Sequence, residues 1–237
     1  MPTSKNRRRK PKRKASRPGT HRPHVAMARP PLGRGPGPGT EADVRAVLNR
    51  HDCKIPYHTV RARFMGAIAT PTPNVHPLAV VQSLWGGELP ECRDLEEAQA
   101  LLDTLVMGLW NRLSIHQEPS RPFRLARLEP PNSSDSITPY VTTRIEELEA
   151  FVEGLFGGDN AMDLPESAHE ALGVLRDFLS FFYGYRQFAA EITTPAKLAE
   201  AALRMRQLTE ASEAEIHTII RSCTRARRAA LGGGAQP

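Results

Sequence analysis

Eight apolar side chains between residues 94 and 113 constrain this chain most. Ala98, Leu101, Leu102, Leu105, Val106, Leu109, Trp110 and Leu113 recur at i, i+3, i+4, i+7 spacing. The spacing predicts a helix with one broad buried stripe, opened by Asp94 with Glu97 as a capping box. Such a stripe has to be covered by other elements, and the rest of the chain offers more helices. Aromatic residues are 6% and runs of β-branched residues are scarce, which argues against an all-β fold. Apolar residues are 40%, enough for a real core, so full disorder is excluded. The three cysteines, Cys53, Cys92 and Cys223, exclude a disulfide scaffold and suit reduced thiols.

The same punctuation recurs along the body. Thr40 with Asp43 opens a segment carrying Val44, Val47 and Leu48, and Thr59 opens one through Phe64, Ile68 and Ala69 that Pro71 and Pro73 stop. A short apolar stretch over residues 77–85 ends at Gly86 and Gly87. Residues 118–142, with five prolines, read as a connector in which Phe123, Leu125 and Leu128 alternate with polar residues across the surface. Thr143 with Glu146 restarts the helices, followed by residues 166–186, by Thr194 and Pro195 leading to Leu208, and by Ser212 with Glu215 opening a last helix. That last helix ends in Arg221, Arg225, Arg227 and Arg228, where cations suit the C-terminal dipole. The fold class is all-α: two packed helical half-bundles of about eight helices, residues 40–117 and 143–230, behind a disordered basic tail, residues 1–39. An internal echo links the halves: Gly66 and Gly154 each sit inside an apolar helix. A mid-helix glycine costs about 1 kcal/mol relative to alanine, so it usually serves close helix approach.

Charge is segregated. Residues 1–40 hold twelve Lys or Arg and no Asp or Glu, while the other 197 residues hold twenty basic and twenty-six acidic side chains. A basic tail of net +12 on a body of net −6 points to a polyanion. The candidate nucleic-acid-binding residues are Arg7, Arg8, Arg9, Lys10, Lys12, Arg13, Lys14 and Arg17. Cations that neutralise phosphates give salt-sensitive binding without sequence preference, and with no aromatic residue the tail cannot stack on bases. No stretch approaches eighteen consecutive apolar residues, and no apolar region follows the basic N-terminus, which argues against a membrane span and a secretory signal and leaves the cytoplasm as the expectation.

Chemistry-bearing constellations are sparse. His51, Cys53 and His58 match no common zinc spacing. Cys223 and His217 fall on different helix faces, and His169 between Glu166 and Glu170 reads as a solvated helix start. Residues 33–37 lack the Lys and Ser/Thr of a phosphate loop, and the Gly pairs after Trp85 and Phe156 read as helix C-caps. No catalytic residue, metal or cofactor is therefore expected. Residues 178–185 are apolar nearly all round a helix, which implies burial on several sides or a dimer interface.

Arg63, Phe64, Met65, Gly66, Ala67, Ile68, Ala69, Thr70 and Pro71, then His76 and Pro77, then Leu84, Trp85, Gly86 and Gly87, then a helix with Leu105, Leu109 and Asn111, together resemble the YecA/YgfB-like family of bacterial proteins. The stretch 151–158 stands where that family opens its later half, with Phe151 where a Trp is usual. The resemblance covers residues 41–185. It implies an all-α, two-part domain in a bacterial cytoplasm and no established enzymatic activity. Some members carry a C-terminal Cys/His zinc motif; this chain ends in alanines and glycines without one, so zinc is not carried over. The expected function is a non-catalytic interaction or regulatory protein, its tail on RNA or DNA and its body engaging a protein partner or forming a homodimer. Two alternatives stand beside it: a small-ligand binder or enzyme with a site between the helical halves, and a structural partner subunit. The acidic body can also mask the basic tail and make nucleic-acid binding conditional.

Overall fold

The computed structural model describes residues 39–73, 75–158 and 162–233, all of them helix, turn or irregular chain without a strand. The candidate residues Arg7 to Arg17 lie outside the described residues. α1 (Glu41–Arg50) begins with the expected capping box: the Thr40 hydroxyl accepts from the Asp43 amide, and the Asp43 carboxylate accepts from the Thr40 amide. The chain enters it through Gly39, whose φ of +104° suits glycine and whose added Cβ would lie 2.5 Å from the Gly108 Cα.

α2 (Tyr57–Ala69) starts earlier than Thr59, behind Pro56. α3 (Pro77–Ser83) follows, and Gly86 and Gly87 both take positive φ. The strongly periodic segment runs as α4 (Leu95–Leu102), a π-helical stretch Asp103–Trp110, α5 (Asn111–Ser114) and a short 3-10 turn Ile115–Gln117. Leu101, Leu105, Leu109 and Leu113 are buried along it, as the spacing requires. The widening to i→i+5 bonding in its middle leaves no mark in that spacing. Asp94 caps this run, but the Glu97 carboxylate turns back to Arg93, accepting from its amide and guanidinium, and is held down to about 2 by those bonds.

The second half departs from expectation at two places. α6 (Ser134–Phe156) begins at the Ser133 cap, ten residues ahead of Thr143, and takes Pro139 into the helix. Pro139 removes an intrahelical bond at a cost of about 3 kcal/mol. Ile137, Tyr140 and Val141 around it are buried, and full burial of such side chains contributes about 1.5–3 kcal/mol each, so packing overrides the local signal. The expected capping pair is dissolved: the Thr143 hydroxyl donates to the Pro139 carbonyl, and Glu146 reaches His58. α7 (Glu166–Phe188) is followed by α8 (Pro195–Gly233), one helix where the caps predict two. Ser212 does not cap; its hydroxyl donates back to Leu208 and is buried. Ala201, Met205, Thr209, Ser212, Ile216, Ile219 and Cys223 form one unbroken buried stripe, and neither Pro nor Gly interrupts residues 196–231.

The halves pack into one core, with α2 of the first lying along α6 of the second and α7 and α8 closing over α6. The connector, now residues 118–133, crosses as an extended strap, with Phe123 and Leu125 buried as their alternation implies.

Candidate functional site

The two mid-helix glycines meet. A Cβ on Gly66 would stand 2.0 Å from the Phe151 carbonyl oxygen, and a Cβ on Gly154 would stand 2.0 Å from the Arg63 carbonyl oxygen. Each glycine thus packs against the backbone three residues before the other, and α2 and α6 cross in a locally two-fold arrangement. Their backbones come closer than any side chain allows. Phe64, Met65, Ile68, Leu148, Phe151 and Leu155 flank the crossing, each fully buried.

This crossing forms one wall of a cleft of about 410 Å³, closed on the other side by α3. Its apolar surface comes from Ala67, Ala79, Val80, Leu155, Phe156 and Met162. Its polar groups are Arg63, Glu153, Thr70, Thr72, His76 and Ser83. Arg63 and Glu153 pair across the helices at 2.5 Å, and the Arg63 Nε is buried without a partner. α6 ends beside the cleft in Gly157, whose φ of +59° closes the helix, the C-cap expected there. Among the described residues no group of three His, Cys, Asp or Glu side chains is placed to hold a metal. His51, Cys53 and His58 do not converge on one centre: the Cys53 thiol reaches the Leu84 carbonyl, His58 bonds Glu146 at 2.7 Å, and the His51 carbonyl accepts from Trp85.

A second polar centre is structural. Arg144 and Glu147 pair inside the core, both essentially without exposure. Glu147 also accepts from the Ala126 amide at 2.6 Å, and Arg144 donates to the Ala126 carbonyl at 2.6 Å. Glu213 of α8 accepts from the Leu125 amide and from Arg124. The strap's backbone groups, which no strand neighbour satisfies, are taken up by these side chains.

α8 contributes its arginines unequally. Arg227 donates to the Ile68 and Thr70 carbonyls at 3.0 and 3.1 Å and to the Gln117 side chain at 2.7 Å, tying α8 to the end of α2. Arg221, Arg225 and Arg228 are exposed. Cys223, four residues before Arg227, is fully buried, and burial pushes its thiol up to about 12, which removes it as a nucleophile.

Sequence reasoning did not single out Arg63, Glu153, Arg144 or Glu147 as interacting groups. The signal for the first pair was the glycine echo itself, since Arg63 lies three residues before Gly66 and Glu153 adjoins Gly154. The signal for Arg144 was its phase: it shares the apolar face of Val141, Ile145 and Leu148. Compared with protein-family models, with curated proteins and with solved structures, the chain finds no match in any of the three.

Proposed function

We propose that this chain is a non-catalytic interaction or regulatory protein of the YecA/YgfB-like type, acting in a bacterial cytoplasm, whose basic N-terminal segment contacts RNA or DNA electrostatically. One observation carries the reading: twelve basic and no acidic side chains in residues 1–40, against an acidic excess in the rest. The family part is supported by the stretches that carry the resemblance, which fall in α2, in and just after α3, in the π-helical stretch with α5, and at the end of α6. No helix of the described residues is long and apolar enough to cross a membrane, so the cationic segment has no apolar anchor among them.

The test is a gel shift of the full chain against a variant with Arg7, Arg8, Arg9, Lys10, Lys12, Arg13, Lys14 and Arg17 all changed to Gln. Binding that weakens steeply between about 50 and 200 mM salt, and fails in the variant, supports the reading. Equal binding by both proteins refutes it.

The body supplies partner specificity. Val174, Phe181 and Phe188 stand seven residues apart on α7 and remain exposed, which favours a protein partner or a homodimer on that face. Sedimentation of wild type and Phe181→Ser tests this: identical monomeric profiles at high concentration count against a homodimer. A second reading rests on the cleft, whose volume lies within the usual 300–1,000 Å³ of small-ligand sites. It predicts thermal stabilisation by a small amphipathic molecule that Ala79→Phe, which fills the cleft, abolishes.

A further inference from the structure

The basic run near the end of the chain reads on the sequence as a partner for a helix C-terminus. The geometry removes that explanation. Favourable interaction with the dipole falls off within the last turn. α8 continues to Gly233, so Arg221 stands twelve residues, about 18 Å, before the end, and even Arg228 lies outside the last turn. Arg227 has a structural use already, held by carbonyls of residues 68 and 70. The other three do not.

At about 100° per residue, Arg221, Arg225 and Arg228 fall within about 60° of arc and extend about 10 Å along α8. That stripe lies opposite the buried face of Ile216, Ile219, Ile220 and Cys223, and all three side chains are exposed. Among the described residues none of them forms an ion pair. Ser167 bonds Ser222 at 2.7 Å, which brings the acidic first turn of α7 alongside, but neither Glu166 nor Glu170 forms an ion pair with the stripe. Holding three like charges together without an ion-pair partner opposes folding, and an external polyanion relieves it.

We infer that Arg221, Arg225 and Arg228 form a second, folded contact for the phosphate backbone of RNA or DNA, in addition to the N-terminal segment. This rests on the nucleic-acid reading above and deepens it. The experiment measures fluorescence anisotropy of a labelled 30-nucleotide RNA and a 30-base-pair DNA of arbitrary sequence. It compares the wild-type full chain, R221Q/R225Q/R228Q, and the eight-fold tail variant, with urea midpoints as the folding control. The stripe variant is expected to keep its midpoint. Its slope of log affinity against log salt should be shallower by about two to three, one phosphate per arginine. Between 50 and 200 mM salt the wild type then loses roughly 20–60-fold more affinity than the variant. A stripe variant whose affinity and slope equal wild type overturns the inference, while the tail variant's loss leaves the broader reading standing. A tail variant that binds as wild type, beside a weakened stripe variant, refutes the tail contact and keeps the stripe. Displacement of RNA and DNA by polyglutamate at equal charge concentration assigns the stripe to an acidic protein and overturns the nucleic-acid inference.

Discussion

Replacing Gly66 with alanine sets two effects of opposite sign against each other. Helix propensity alone favours Gly66→Ala by about 1 kcal/mol. The new Cβ, however, would lie 2.0 Å from the Phe151 carbonyl oxygen and 2.7 Å from the Leu155 amide nitrogen, both backbone atoms. Ordinary contact begins at 3.4 Å, so α2 and α6 have to part by about 1.4 Å at the centre of the core. A gap of 0.5–1 Å already forfeits a quarter to a half of a dispersion contact. Six fully buried side chains, Phe64, Met65, Ile68, Leu148, Phe151 and Leu155, line this joint. Losing about a quarter of some 2–3 kcal/mol for each costs about 3–4 kcal/mol, leaving a net destabilisation of about 2–3 kcal/mol after the propensity gain. In a chain of this length that lowers Tm by about 4–12 °C. Urea unfolding followed by far-ultraviolet circular dichroism reads it. Gly173→Ala on α7, where an added Cβ meets nothing within 4 Å, should instead stabilise by about 0.5–1 kcal/mol. Since Gly66 and Gly154 set one separation, the double variant should cost less than the sum of the singles. A Gly66→Ala protein as stable as wild type, or strictly additive singles, would refute the close-approach argument.

Other perturbations test the remaining architecture. Glu147→Ala leaves Arg144 charged and unpaired in the core and frees the Ala126 amide, so it should cost about 3–5 kcal/mol by urea unfolding and expose residues 118–133 to limited proteolysis. His116 and His217 are both held below the ordinary imidazole value, first by burial and then, for His217, by Arg221, Arg124 and His116. The unfolded chain therefore binds protons that the fold refuses: the contribution of these two histidines to stability should be flat above about pH 7, fall as pH drops below about 6.5, and level off beneath the lowered values. His217→Gln should shrink that fall, and Arg221→Gln should raise the His217 titration midpoint seen by NMR. Cys223 should resist thiol reagents in the native protein and react at the unfolding rate, while Cys53 and Cys92, partly exposed, react sooner; native labelling of Cys223 at the rate of Cys92 would contradict the burial argument.

Much of the fold was legible because helices announce themselves locally. Thr40 with Asp43, Asp94, and the glycines after residues 85 and 156 mark helix ends by short-range bonds, and the structure keeps them. The boundaries that moved are those where local and distant terms conflict. Pro139 and the Thr143–Glu146 pair argue for a later helix start, but the burial of Ile137, Tyr140 and Val141 outweighs them. Ser212 with Glu215 imitates a cap, and only the unbroken stripe from Ala201 to Cys223 shows that the helix continues. The cleft was not legible, since its walls come from α2, α3 and α6 and no spacing within one segment records their meeting.

By itself the sequence determined an all-α chain, most of its helices, a connector with alternating apolar side chains, and a sharp separation of charge between residues 1–40 and the rest. These follow from side-chain periodicity, capping and composition, which act over a few residues. Only the tertiary structure decided that Gly66 and Gly154 oppose each other, that Glu147 and Glu213 bind the strap, and that three arginines of α8 face solvent while a fourth closes α2. Those outcomes depend on pairings between residues 21 to 159 positions apart or on the phase of a long helix, and such pairings are set by how whole surfaces fit.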